Sequence, residues 1–209
     1  MKQILHLSLF FLLFLTGCSP QSLTQAPKNS LPLEDCTISL QTGYQVDARC
    51  GKLTVPEDRS HPDGRKVELN VAVVPAIKRN PEPDPLFLLA GGPGQSAVET
   101  FPAMLPMLFQ IYQDRDIVLV DQRGTGKSNP LQCLSPDDEM LSDEQAFEKL
   151  KTCPKTLDAD LRFYTTEIAM TDLEEVRSAL GYETINLYGA SYGTRAALTY
   201  LRIDRKSVV

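Results

Sequence analysis

Thr184-Ile185-Asn186-Leu187-Tyr188-Gly189-Ala190-Ser191-Tyr192-Gly193 runs from a short apolar strand into a tight, glycine-bounded turn, and Tyr192 to Leu201 then reads as a helix. A G-x-S-x-G pentapeptide alone is compatible with a plain turn. Between a buried strand (Ile185 to Tyr188) and a helix it has a mechanical meaning, because a strand-to-helix turn this sharp leaves no room for side chains at its flanks. Ser191 is then lifted above the carboxyl edge of a sheet as a candidate nucleophile. The Tyr192 N–H, at the start of the new helix, points to where a negative oxygen would form.

Working outward, Leu86-Phe87-Leu88-Leu89-Ala90 is an apolar run without alternation, as a strand buried on both faces requires. Gly91-Gly92-Pro93-Gly94-Gln95-Ser96-Ala97 follows it directly. Glycines at the end of a central strand let backbone approach a substrate closely, so this loop is the candidate source of a second oxyanion donor. Its formal match to a dinucleotide fingerprint (Gly92, Gly94, Ala97) fails, because Pro93 removes a donor and no βαβ unit starts there. Ile117-Val118-Leu119-Val120 repeats the buried-strand design and leads into Asp121-Gln122-Arg123-Gly124-Thr125-Gly126-Lys127-Ser128. Gly126-Lys127-Ser128 imitates the end of a phosphate-binding loop, but Asp121 stands where the first glycine is required. A loop stiffened by turn glycines and an Arg–Asp pair, shaping the floor of a site, is the better reading.

The remaining elements agree. Thr37 to Leu40 and Gly51 to Val55 read as strands around a turn, and Val67, Leu69, Val71 and Val73 alternate along a third strand. Val98 to Tyr112 has the apolar content of a covering helix, made irregular by Pro102 and Pro106. The acidic stretch 130–161 reads as an excursion with a helix near Asp143 to Leu150. Thr171 to Leu180 reads as a helix capped by Thr171 and ended by Gly181. Antiparallel strands first, then three strand-to-helix units, imply an α/β layered fold with a mainly parallel sheet.

The chain has 209 residues, a net charge of −6 and 42% hydrophobic residues, enough for a real core. The acidic balance argues against nucleic acid as a partner. Lys2, the apolar run Ile4 to Leu15 and Leu15-Thr16-Gly17-Cys18 form an export signal too short to span a bilayer comfortably. Its last four residues resemble a bacterial lipobox. That makes residues 1–18 a lipoprotein signal with Cys18 as the lipidated residue, and 19–34 a flexible tether, rich in Ser, Gln and Pro. Ser19, in place of Asp, implies an outer-membrane destination, so the expected location is the bacterial envelope, lipid-anchored and facing the periplasm. Cys36, Cys50, Cys133 and Cys153 remain, an even number that suggests disulfides in an exported protein. Local pairs, Cys36–Cys50 and Cys133–Cys153, are preferred among the three possible pairings. A zinc site lacks both a C-x-x-C pair and a nearby His.

Taken in this order, the G-G-P-G loop, the D-x-R-G-x-G-x-S loop and the G-x-S-Y-G elbow resemble the serine-peptidase branch of the α/β hydrolases that includes proline iminopeptidase and the tripeptidyl aminopeptidases. The resemblance spans about Leu53 to Arg202. It implies the N-terminal part of an α/β-hydrolase domain (35–203), with Ser191 as nucleophile, Gly92 and Tyr192 as oxyanion N–H donors (Gly91 remaining open beside Gly92), no cofactor or metal, and a peptide substrate or a small ester. Ala90, where iminopeptidases proper usually have His, leans towards the tripeptidyl-aminopeptidase-like subgroup, whose exported members carry cysteines in similar places. In this fold the acid and the His follow the serine, yet Thr194 to Val209 contain no His, and the chain's two histidines are His6 and His61. His61 lies beside Pro62 in a loop ahead of the sheet and is expected at the surface. The final six residues, Asp204-Arg205-Lys206-Ser207-Val208-Val209, break the helical pattern and are what the sequencing-adapter string GATCGGAAGAGCGTCGTG encodes in frame. They are expected to be a non-native tail (204–209) on a truncated, inactive hydrolase fragment. The sequence carries no signal for oligomeric state.

Overall fold

The computed structural model describes residues 30–40 and 43–203. The expected lipidation site Cys18, most of the tether and the tail 204–209 lie outside the described residues.

The antiparallel part comes first. β1 (Glu34–Ser39) pairs with β2 (Gln45–Pro56), and β2 with β3 (Lys66–Val74). Leu31 and Glu34, expected within the tether, belong to the folded part: Leu31 is buried, its N–H bonds to the Ala179 carbonyl at 3.1 Å, and β1 begins at Glu34.

The remaining strands and helices alternate. β4 (Leu86–Leu89) leads into a short α1 (Ala97–Thr100), a 3-10 turn (Phe101–Met104), α2 (Phe109–Asp114) and β5 (Ile117–Val120). The covering helix expected over 98–112 is therefore broken, because Pro102 and Pro106 offer no N–H to a helical ladder. After α3 (Asp143–Thr152), capped by Ser142, come α4 (Thr166–Leu180), β6 (Asn186–Gly189) and α5 (Tyr192–Ile203). Strand order is β1-β2-β3-β5-β4-β6, antiparallel as far as the β3–β5 pair and parallel across β5, β4 and β6.

Both faces of the central strands are covered. Val71, Phe87 and Val118 face α4 and α5, whereas Ala72, Leu88 and Leu119 face the segment holding α1 and α2. This three-layer arrangement explains why β4 and β5 show no polar alternation. The N-terminus of α4 corrects the sequence reading: Thr165, not Thr171, is the cap, accepting the Ile168 N–H at 3.4 Å. Thr171 is interior, its hydroxyl bonded to the Glu167 carbonyl at 3.0 Å. Apolar residues Ala169 and Met170 extend the buried stripe a turn further back than the expected helix. Gly181 ends α4 at φ +82°, as expected.

Both local disulfides form. Cys36–Cys50 staples β1 to β2 with Cα atoms 5.8 Å apart, and Cys133–Cys153 closes the excursion with Cα atoms 5.5 Å apart.

Candidate active site

Ser191 stands between β6 and α5 at φ +53°, a left-handed conformation that costs a non-glycine residue roughly 1–2 kcal/mol and is enriched where function needs it. Its flanks show why both neighbours are glycine. A Cβ on Gly189 would lie 2.3 Å from the Gly193 carbonyl oxygen. One on Gly193 would lie 2.2 Å from the Leu89 carbonyl oxygen. The turn closes through Gly193 N–H to the Ala190 carbonyl at 2.8 Å and Thr194 N–H to the Ser191 carbonyl at 3.0 Å. Ser191 itself is exposed. The Tyr192 N–H is the first of α5, where helix geometry provides no intrahelical acceptor. The Tyr192 hydroxyl meets Thr166 Oγ1 at 2.8 Å, which ties this residue to the start of α4.

The Gly91–Gly94 loop lies against this turn. A Cβ on Gly91 would be 3.3 Å from Ser191 Cβ and 3.3 Å from the Ala190 carbonyl oxygen. Gly92 and Gly94 adopt φ +99° and +108°, and the Gly92–Pro93 peptide is cis. Gly91, at the start of this loop, thus lies directly beside the serine.

Several polar groups of the third motif bond inward. Ser128 Oγ is buried, donating to the Asp121 carbonyl at 2.8 Å and accepting the Asn70 N–H at 2.8 Å. The Lys127 N–H goes to Asp121 Oδ2 at 3.1 Å. These groups are turned inward, so none forms a phosphate cradle. The expected Arg–Asp pair exists, but its acid is Asp172 on α4. Arg123, its side chain fully buried, grips Asp172 through two bonds of 2.6 and 2.7 Å and donates to the Glu57 and Phe163 carbonyls at 2.9 and 3.0 Å. Burial raises the Asp172 carboxyl above its ordinary range, with Arg123 and Arg59 pulling against it.

Gly91, Gln95, Gln122, Tyr164, Thr165 and Tyr192 help to wall a cavity of about 230 Å³ beside the elbow. Arg123 also borders it, with its guanidinium already engaged.

A family model for the alpha/beta hydrolase fold matches residues 84–208. The chain is an α/β hydrolase by family. It is 28% identical over 197 residues to a tripeptidyl aminopeptidase of Streptomyces coelicolor, covering 84% of this chain and 36% of that one. Over 197 residues it is 29% identical to the serine protease Hip1 of Mycobacterium tuberculosis, covering 83% and 37%. The solved proline iminopeptidase of Mycobacterium smegmatis aligns with 23% identity and a TM-score of 0.48, covering 75% of this chain and 41% of that one. The chain spans just over a third of the length of the curated relatives it matches.

Within this α/β hydrolase, the described residues hold one histidine, His61. It is exposed in the loop between β2 and β3, with Nδ1 2.7 Å from Asp58 Oδ2. None of its hydrogen bonds reaches Ser191. The acid–base partners of a serine nucleophile are therefore not assembled around Ser191 among the described residues. What the sequence did not reveal is the ion-pair cluster behind the site. Glu57 is buried and accepts the Asp160 N–H at 3.0 Å and the Tyr164 hydroxyl at 3.1 Å, while Arg59 joins Arg123 on Asp172. Glu57 and Arg59 lie 103 to 113 residues from these partners, and Arg123 lies 49 from Asp172, with no periodicity to link them.

Proposed function

We propose that this chain is the nucleophile-bearing part of an exported serine peptidase that removes short peptides or single residues from peptide N-termini through an acyl-enzyme. The observation that carries the reading is the pairing of a left-handed Ser191, locked between Gly189 and Gly193, with the glycine loop that touches it. Ser191 Oγ attacks the carbonyl carbon and forms the acyl bond. The N–H groups of Gly92 and Tyr192 hold the oxyanion as it develops. The amine leaves with the serine proton, relayed by an imidazole and a carboxylate that the whole gene product supplies beyond these residues. The similarity to a tripeptidyl aminopeptidase and to Hip1 supports an amide substrate over an ester. The same machinery cleaves both, so a substrate panel separates the two.

The 209-residue chain alone, without that imidazole, is then inactive. Cys18 carries the lipid that holds the domain at the periplasmic side of the envelope.

The test is a fluorophosphonate probe applied to the product of the gene read to its native stop codon. Covalent labelling, abolished in Ser191→Ala, is expected, with no labelling of the 209-residue chain. Labelling that survives Ser191→Ala would falsify the assignment, and an unlabelled whole product would instead make the domain a binding scaffold. Incorporation of labelled palmitate, lost in Cys18→Ser, tests the anchor separately.

A further inference from the structure

The Asp121 carboxylate is buried in a loop that takes no direct part in acyl transfer, yet it holds one end of the loop that does. We infer that Asp121 is a positioning residue, an anionic clasp that fixes the Gly91–Ser96 loop in the conformation that receives the oxyanion. The inference rests on the reading of that loop given above.

Asp121 directly follows β5 and is 1% exposed. Its two oxygens accept two hydrogen bonds each. Oδ1 receives Ser96 Oγ–H at 2.7 Å and Val98 N–H at 3.1 Å. Oδ2 receives Asn70 Nδ2–H at 2.9 Å and Lys127 N–H at 3.1 Å. Four hydrogen bonds converge on the carboxylate from three different segments of the chain. Bonds to an ionised acceptor are roughly twice as strong as neutral ones.

One side of the clasp is fixed in the sheet. The Asp121 N–H bonds to the Asn70 carbonyl at 3.0 Å, and the Asp121 carbonyl accepts Ser128 Oγ–H at 2.8 Å. Gly126 leaves the space the carboxylate occupies, because a Cβ there would lie 2.3 Å from Oδ2 and 2.8 Å from Ser96 Oγ.

The other side is the glycine loop. Ser96 is its last residue and also the cap of α1, accepting the Glu99 N–H at 3.1 Å. The loop has little of its own to hold it. Gly92 and Gly94 have no Cβ to restrict their backbone, Pro93 has no N–H, and the backbone bond from Gln95 N–H to the Gly91 carbonyl is long at 3.4 Å. An oxyanion donor works only when placed to within a few tenths of an ångström, and a misplacement of about 1 Å can cost roughly a hundredfold in rate. The Ser96–Asp121 bond supplies that placement from outside the loop.

The test uses three variants. Ser96→Ala deletes the link, Asp121→Asn turns an amide N–H₂ towards two donors, and Val118→Ala truncates a buried β5 residue and controls for general loss of stability. Amide hydrogen exchange in the 209-residue chain is expected to quicken at least tenfold over residues 90–97, relative to residues 166–180, in Ser96→Ala and Asp121→Asn. In Val118→Ala that ratio should stay as in the parent. In the whole gene product, the maximal rate of Ser191 phosphonylation by the fluorophosphonate should fall about a hundredfold in the first two variants, with the concentration for half-maximal rate unchanged. An unchanged exchange ratio overturns the clasp, as does an equal change in Val118→Ala. Altered exchange with parental labelling kinetics overturns the positioning role. If exchange responds but the parent itself takes no label, the clasp stands and the peptidase reading fails.

Discussion

Gly193 lies so close to the backbone of β4 that a Cβ on it would sit 2.2 Å from the Leu89 carbonyl oxygen. The nucleophile turn is thus built against the strand that launches the glycine loop, and the two halves of the site share one contact. Gly193→Ala forces backbone apart inside a packed layer and should cost about 2–3 kcal/mol. Gly181→Ala serves as the comparison, because its φ of +82° is strained but no atom lies within 4 Å. Its cost should be limited to about 1 kcal/mol of backbone strain. Urea unfolding followed by circular dichroism measures both, and equal midpoints for the two variants would contradict the close approach.

Legibility in the sequence followed the range of the interaction. Leu86–Leu89 and Ile117–Val120 could be read as strands buried on both faces because that burial leaves an unbroken apolar run. The elbow could be read because its motif is local, with Gly189 dictated by the Gly193 carbonyl within the same turn, although Gly193 is dictated by the Leu89 carbonyl on β4. The α4 cap lies six residues before Thr171, which the local pattern with Asp172 and Glu174 favours, because packing of Ala169 and Met170 extends the helix backwards. The partners of Arg123 and Asp121 were not legible at all. Asp172 and Ser96 lie 49 and 25 residues away in the chain, and side-chain pairing over such distances leaves no periodic trace.

Asp172 should be the most costly charge to remove. Its loss leaves the Arg123 guanidinium, on a fully buried side chain, with backbone carbonyls and the Tyr164 ring in place of a carboxylate. Breaking a buried pair in this way typically costs about 3–5 kcal/mol, so Asp172→Ala should show a markedly lowered melting temperature. Arg59→Ala removes a partner whose side chain is 28% exposed and leaves the Arg123–Asp172 pair in place. Its loss should be about 1 kcal/mol. Calorimetry on the two variants checks the order, and an Arg59 effect as large as that of Asp172 would refute it.

Asp138 gives a pH signature. The Lys149 ammonium and the Ser135 N–H and hydroxyl hold its carboxyl at about 2, below the ordinary 3.8. A depressed folded value means that the contribution to stability is present above pH 3.8 and is lost as pH falls through about 2. Carbon-detected NMR titration should find this carboxyl titrating near the bottom of the acid range. In Lys149→Gln it should return towards 3.8. A carboxyl that titrates at its ordinary value in the parent would show that the ion pair does not persist in solution.

β6 should make the 209-residue chain self-associate. Among the described strands it pairs with β4 alone, so its outer edge offers unused N–H and carbonyl groups. Unprotected edges of this kind recruit other strands. Apolar side chains are exposed on these two elements: Tyr188 on β6 is 37% exposed, and Leu198 and Ile203 on α5 are 62% and 44% exposed. Lysine on an edge strand discourages such pairing, whereas a charge on the neighbouring helix removes only apolar contact. Sedimentation velocity over a concentration series should therefore show association in the parent, weaker association in Leu198→Glu, and the weakest in Tyr188→Lys. A parent that remains monomeric throughout would show that the edge is covered in solution.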